Sequence, residues 1–386
     1  MFRYFVFACG FLLMLSCKEK PASSSIDYEF VKVDSLVLDI LETVQVMDYH
    51  HEKGLYLLVK QASLEGHYFV VNDSGDIVAE NKLSEGPDAF GMVLLRAGFI
   101  GDEILFLSDK KAFLYDLNLK PLRSYPYEQN PRVRMIHSAL DNLSTFRFSD
   151  EENWAIANLN DGYLTQYPTD YFDTLNLVHL INVNSGQVLI GGKLEEGDEF
   201  RLGEFYPFMD KPVYFSDEKS KLISTILYGG STLYQIDPQQ GFQVANSIEL
   251  PRLEPDVLSS VPMAEANLAR VKEFRGDNVK FAGAFDEMMG YGNEVLVGYR
   301  TGDDLKIVAQ NENKSEVEEL LPAKKRYYYF IKNGKLMGNE IPWLLPGSLK
   351  INVGEGKYLQ YADQAELHET EKEYQCYYIY ELRQKD

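Results

Sequence analysis

Cysteine is scarce. The 386-residue chain has three, Cys9, Cys17 and Cys376. Two of them fall within the first seventeen residues, so the body of the protein holds Cys376 alone and no internal disulfide can staple it. Basic charge is outnumbered, with 38 Lys and Arg against 59 Asp and Glu and a net charge of −21. A chain this acidic repels nucleic acid and anionic lipid surfaces, which excludes nucleic acid as a partner. The apolar run at the start, Met1 to Ser16, is too short for a membrane-spanning helix, which needs roughly 20 residues. Helical signal is sparse. The best stretch is Asp256 to Phe274, with Val257, Val261, Ala264, Leu268 and Val271 at helical spacing, and Pro262 interrupts it. Local catalytic signatures are missing as well. Gly229-Gly230-Ser231 lacks the second half of a nucleophile elbow, and His51-Glu52 is followed by Lys53-Gly54-Leu55 instead of a second zinc-binding histidine. Gly290-Tyr291-Gly292 lacks the third glycine of a dinucleotide loop, and there is no P-loop.

What is present begins at the N-terminus. One arginine, Arg3, and an apolar run lead to Met14-Leu15-Ser16-Cys17, and the chain then turns hydrophilic from Lys18. A positive start, an apolar stretch and a small residue before the cut describe a secretory signal. Cysteine directly after the small residue resembles the lipobox of bacterial lipoproteins, with Met14 where Leu is usual. The reading is a signal peptide over 1–16, lipidation at Cys17, and a tether over 17–26 whose Pro21 to Ser25 stretch is flexible. Two acyl chains already suffice for stable anchoring, at about 0.8 kcal/mol per buried methylene.

From 27 to 386 the recurring pattern is a strand rich in β-branched and aromatic residues, a polar turn, and another strand. His67 to Val71 leads through Asn72-Asp73-Ser74-Gly75-Asp76 to Ile77. Ala112 to Asp116, Val178 to Val183 and Thr232 to Ile236 behave alike, and Cys376 to Leu382 supplies a last strand in which Cys376 is a small apolar residue. A further strand precedes most hairpins, as in Gly54 to Lys60 and Glu103 to Ser108. Units of three to four antiparallel strands, repeated about six times, predict an all-β fold, a six-bladed β-propeller of four-stranded blades. Pro251 to Gly276 and Glu128 to Leu143 read as insertions between blades. Ser25 to Thr43 is extended and β-prone, and it is expected to pair with the last strand, near Tyr374 to Arg383, and so close the ring.

With the signal ending at Cys17, the blade hairpins and Glu85-Gly86-Pro87-Asp88-Ala89-Phe90-Gly91, the chain resembles the TolB-like six-bladed propeller lipoproteins of the Bacteroidetes. That heptapeptide is similar to a turn of such propellers and their NHL-like relatives. The resemblance implies the fold and a cell-envelope address and not an activity, because propellers host many functions.

Candidate site residues follow from loops, where repeat scaffolds place binding. Phe90, the basic cluster Arg132, Arg134 and His137, and Tyr291 are the expected ligand contacts. His50-His51-Glu52 could begin a metal site, although adjacent strand histidines point to opposite faces. Asp73 with Asp76, and Asp303-Asp304, could hold calcium or could bond their own turns. Glu195 to Glu199 reads as a solvated acidic loop, and most of the 26 Tyr and 22 Phe as core wedges. No catalytic residue and no cofactor beyond calcium is assigned. The expected role is a non-enzymatic binding or scaffolding lipoprotein, held at the outer membrane by its anchor and meeting an envelope protein or a glycan. The alternatives are a metal-dependent, lactonase-like hydrolase and a glycan-capture accessory protein.

Overall fold

Turn chemistry repeats from blade to blade. Asn72 Oδ1 accepts the backbone N–H groups of Ser74 and Asp76 at 3.0 and 2.9 Å. Asp116 does the same for Asn118 and Lys120, Asn182 for Asn184 and Ser185, and Asp237 for Gln239 and Gln240. A short polar side chain that satisfies the N–H groups of its own turn reverses the chain tightly, so each site starts a hairpin.

A computed structural model describes residues 27–60, 66–82, 94–108, 111–127, 141–149, 152–157, 166–217, 219–256, 258–304, 323–368 and 372–385. The chain opens with β1 (Tyr28–Leu38). Blade 1 is β2 (Val44–His50), β3 (Leu55–Lys60), β4 (His67–Asn72) and β5 (Ile77–Lys82). Blade 2 is β6 (Leu94–Ile100), β7 (Glu103–Ser108), β8 (Lys111–Tyr115) and β9 (Pro121–Pro126), and the short β10 (Asp141–Asn142) lies parallel to β6 on its free edge. Blade 3 is β11 (Ser144–Arg147), β12 (Asn153–Ala157), β13 (Val178–Asn182) and β14 (Val188–Gly191), with the single helical turn α1 (Tyr171–Thr174) before β13. After β15 (Glu204–Phe205), blade 4 is β16 (Pro212–Asp217), β17 (Leu222–Leu227), β18 (Thr232–Asp237) and β19 (Gln243–Glu249). Then come β20 (Val261–Pro262), which pairs with β15, and α2 (Leu268–Phe281). Blade 5 is β21 (Ala284–Tyr291), β22 (Glu294–Arg300) and β23 (Arg326–Lys332), with β24 (Lys335–Leu336) and β25 (Ile341–Trp343) both on β23. Blade 6 is β26 (Ser348–Gly354), β27 (Lys357–Tyr361), β28 (Gln375–Gln384) and β1.

This is a six-bladed β-propeller. The inner strands β2, β6, β11, β16, β21 and β26 line the axis, and β2 touches both β6 and β26, which closes the circle. The expected closure by the N-terminal strand is present: β1 pairs antiparallel with β28 from Tyr28↔Gln384 to Leu38↔Gln375. Six apolar clusters fill the six interfaces between blades. Successive side chains of a strand serve opposite interfaces. In β3, Tyr56 and Leu58 pack toward blade 6, while Leu57 and Val59 pack toward blade 2. Strands two-sided in this way must be apolar throughout, which is why these stretches read as unbroken hydrophobic runs.

The insertion after blade 4 lies where expected, but its helix is shifted. It starts at Leu268, where Asn267 caps the N–H groups of Ala269 and Arg270, and it runs on to Phe281. Pro262 belongs instead to the extended β20. Val261, Met263, Ala266 and Val271 bury the insertion against blades 3 and 4. Among the described residues no helix is long and apolar enough to cross a membrane.

Candidate functional site

The inner strands all run from one face of the disc to the other, so the axial channel has a mouth where they begin and a mouth where they end. Four of the six are bulged. The pairing register skips between Val46 and Asp48 in β2, Leu94 and Arg96 in β6, Phe285 and Glu287 in β21, and Leu349 and Ile351 in β26. A bulge places an extra residue out of the ladder and re-aims its neighbours. At each of these bulges the skipped residue or the one after it is charged: Asp48, Arg96, Asp286 with Glu287, and Lys350. Backbone irregularity therefore turns charge toward the axis of an apolar barrel of blades.

At the entry mouth a pocket of about 80 Å³ is lined by Arg96, Ser144, Lys211, Tyr214, Glu287 and Lys350, among others. These six come from blades 2 to 6, so only a closed ring brings them together. One water occupies about 30 Å³, so the space suits two or three waters or one small polar group. A larger hollow of about 200 Å³ lies on the outer hairpin β8–β9 between Phe113 and Ser124, and one hairpin alone forms it.

The pocket carboxylates are held from behind. Arg326 bridges Asp286 with two bonds, 2.8 and 3.2 Å, and reaches Glu287 Oε2 at 2.8 Å. Arg300 Nε adds a bond to Asp286 at 3.3 Å. Tyr328 OH donates to Glu287 Oε2 at 3.0 Å and accepts the Leu349 N–H at 2.7 Å. Burial pushes the Glu287 carboxyl upward, opposed by the Arg326 charge. Burial works against the Arg326 cation, but Glu287 and Asp286 outweigh it and hold its pKa above the ordinary range.

Among the described side chains Arg96 has no such partner. It is 9% exposed, and among the described residues its guanidinium meets the Tyr214 ring, 5.5 Å from the centroid, and no carboxylate. A cation–π contact contributes about 0.5–2 kcal/mol. Taking an ion out of water costs several kcal/mol even after relaxation. The Tyr214 contact by itself therefore does not compensate the burial of this cation. Tyr214 is fixed in turn, its OH donating to the Leu177 carbonyl at 2.7 Å. Lys211 lies over the Tyr228 ring, 5.1 Å from its centroid.

Deeper in the channel, Asp48 bridges blades 1 and 2, accepting the N–H groups of Phe99 at 2.7 Å and Tyr49 at 2.8 Å. Burial raises its pKa to about 7, against the pull of these two hydrogen bonds. Gly98 makes room for it, since a Cβ there would stand 2.6 Å from both Asp48 Oδ2 and Leu143 Cβ.

Tyr291 lies at the exit mouth. Gly292, with φ +58°, makes the tight β21–β22 turn that presents it. Its ring meets His51 at 4.7 Å, and His51 meets Tyr49 at 5.2 Å. Tyr49 OH donates to Asp73 Oδ1 at 3.1 Å. The structure therefore brings Tyr291, His51 and Asp73 into one cluster. Burial of the His51 ring against its neighbours, and then the His50 charge, lower its pKa. His50 is separate: it is buried against Phe99, and its Nε2 is 3.7 Å from Asp102 Oδ1. Asp303 is buried and pairs with Lys324 at 3.2 Å, so it is neither a turn residue nor a member of an acidic pair. Among the described residues no three metal-ligating side chains converge. Cys17, Phe90, Arg132, Arg134 and His137 lie outside the described residues.

The acidic loop departs from its expected solvated state. Asp198 is buried and accepts the Tyr234 hydroxyl at 2.6 Å and the Phe200 N–H at 2.9 Å, while Glu199 accepts from Ser231 Oγ at 3.0 Å. Burial raises both carboxyls. The entry pocket itself had no signature in the sequence. Its only trace is charge inside apolar strand stretches, as in Leu94-Leu95-Arg96-Ala97 and Leu349-Lys350-Ile351.

No protein-family model matches the chain, and no curated protein matches it. Among solved structures, a member of the DUF4221 family from Bacteroides vulgatus is similar, with a TM-score of 0.63 at 12% identity over 94% of this chain and all of that one. A Bacteroides fragilis protein thought to be exported aligns over 95% of this chain and 97% of its own at 11% identity, with a TM-score of 0.49. The chain shares its propeller fold with the Bacteroides vulgatus protein, and at this identity the likeness concerns the fold alone.

Proposed function

We propose that the protein is a non-enzymatic ligand-binding propeller of the bacterial cell envelope, a TolB-like lipoprotein whose ligand sits in the entry pocket of the axial channel. The observation that carries the reading is the convergence of Arg96, Ser144, Lys211, Tyr214, Glu287 and Lys350 from five blades on one cavity. Binding sites are typically concave and largely preformed, with a few convergent polar groups. The address rests on the sequence over 1–26, a signal ending at Cys17 and a short tether to the 27–386 propeller. Tyr28 is level with Gln384, at the face where the inner strands end. A membrane anchor upstream of it would leave the entry pocket on the face opposite the tether, where one small group of an envelope protein or a glycan could enter it.

The test is native mass spectrometry of the purified protein after exposure to an envelope small-molecule extract. Wild type retains a ligand, and Ser144→Trp, which fills the pocket, does not. Equal retention by both removes the pocket from the reading. Turnover of an ester, lactone, phosphoester or glycoside, abolished by Glu287→Gln, overturns the non-enzymatic part.

A further inference from the structure

The entry pocket carries a charge balance opposite to that of the whole protein. The chain has a net charge of −21. Around the pocket, Arg96, Lys211 and Lys350 line the space, and Arg300 and Arg326 stand behind it, against the two carboxylates of Asp286 and Glu287. Those carboxylates, on β21, are already paired with Arg300 of β22 and Arg326 of β23, so part of their charge is neutralised from behind. Tyr328 further occupies Glu287 through its hydroxyl. The lining cations come from blades 2, 4 and 6 and so approach the cavity from separate sides. Arg96 is also pre-oriented, because Tyr214 supports it and is itself tied to Leu177. A buried cation whose described contacts are limited to an aromatic ring, aimed into a cavity, is a group that an anion would complete.

We propose that this pocket takes a compact oxyanion, the carboxylate or phosphate group of a small molecule, gripped by Arg96, Lys211 and Lys350. The assignment rests on the entry pocket being the ligand site. Size and field together set the selectivity. A cavity of about 80 Å³ holds one such group and is too small for a sugar ring or a peptide residue beyond it. The acidic exterior repels polyanions, but beyond about 8–10 Å that field is screened at ordinary ionic strength, so a small anion that reaches the mouth meets the local cations.

The experiment is isothermal titration of the full chain in low-salt, chloride-free buffer with inorganic phosphate, acetate and, as a neutral control, glycerol. Wild type is expected to bind phosphate or acetate and not glycerol. Preference for phosphate identifies a tetrahedral group and preference for acetate a planar one, and either supports the proposal. Lys350→Met and Lys211→Met should each weaken binding roughly tenfold, the size of one lost charge-assisted hydrogen bond. Lys350→Arg should retain most of it. Arg96→Met should weaken it further, and if that variant does not fold, the two partly exposed lysines decide the matter. Unchanged affinity in the double variant Lys211→Met/Lys350→Met overturns the proposal, as does an absence of anion binding by wild type. If wild type binds no anion yet retains a neutral ligand that Ser144→Trp loses, the oxyanion assignment fails and the pocket remains the binding site. If Ser144→Trp and wild type behave alike toward every ligand, both fail.

Discussion

Asp48→Asn tests the electrostatics of the channel directly. Asp48 has a folded pKa of about 7 against an ordinary 3.8. The folded protein therefore holds a proton that the unfolded chain has already released between these two values. Stability from this group is fully present below about pH 3.8 and is lost as pH rises through about 7. At about 1.36 kcal/mol per unit, the full interval corresponds to roughly 4 kcal/mol. Asp48 is only partly buried and borders the channel, so water there makes that figure a ceiling. Asparagine cannot ionise, and it keeps one carbonyl oxygen where the carboxyl offers two. Either the Phe99 or the Tyr49 N–H then loses its acceptor, which costs about 1–3 kcal/mol at every pH. The assay is urea unfolding at half-unit steps from pH 4.5 to 8.5, followed by the fluorescence of Trp154 and Trp343, which are buried in different blades. Wild type alone does not isolate the effect. His179, lowered to about 4 by burial and then by Lys193, contributes stability present above pH 6.5 and lost as pH falls toward 4, so it opposes Asp48 in the same window. The difference between wild type and variant cancels every shared group. Wild type should be at its greatest advantage at pH 4.5, the lowest pH of the series. Its advantage should shrink by up to about 1.4 kcal/mol per unit, vanish or reverse near pH 7, and be flat above pH 8. A pH-independent difference would refute the reasoning.

Three further outcomes are expected. Cys17→Ser should abolish detergent-phase partitioning and leave an unprocessed or soluble form, and unchanged partitioning would remove the lipid anchor. Deleting residues 25–43 removes the fully buried Leu36 and Leu38 and bares β28; at about 2–5 kcal/mol per core leucine the loss rivals the 5–15 kcal/mol of a typical domain, so the truncated chain should show no cooperative thermal transition. Gly98→Ala forces a methyl group against Asp48 and Leu143 and should lower the urea midpoint by an amount equivalent to about 1–3 kcal/mol, whereas an unshifted midpoint would show that the neighbours give way freely.

The fold was legible because its signals are local. Asn72, Asp116, Asn182 and Asp237 each reverse the chain with groups two to four residues away, and the β-prone stretches between them bury both faces. Strand β1 was readable too, since an extended apolar segment before the first blade has one open edge to join. The α2 boundary was less so: the helical spacing from Asp256 is interrupted at Pro262, and the start after Asn267 follows only once β20 is drawn out to pair with β15. Glu195 to Glu199 looked solvated because Tyr234, which claims Asp198, lies 36 residues away. The pocket was illegible for the same reason at larger scale. Arg96, Lys211, Glu287 and Lys350 sit on four blades, and no spacing links them. Tyr291 and His51 were each noticed alone, and their contact exists only because blades 1 and 5 face one another near the axis.

The closure of blade 6 by β1 also decides how the molecule bears load. A pull arriving through residues upstream of Tyr28 acts along the axis of β1, which runs from the exit face toward the entry face. The hydrogen bonds to β28 lie across that direction. They are therefore strained together, from Tyr28 to Leu38, instead of parting one after another as they would if the strand were peeled from its Leu38 end. A load carried from residues upstream of Tyr28 to the entry face is thus met by the whole β1–β28 ladder at once, so the joint that seals the ring is also its strongest seam along that direction.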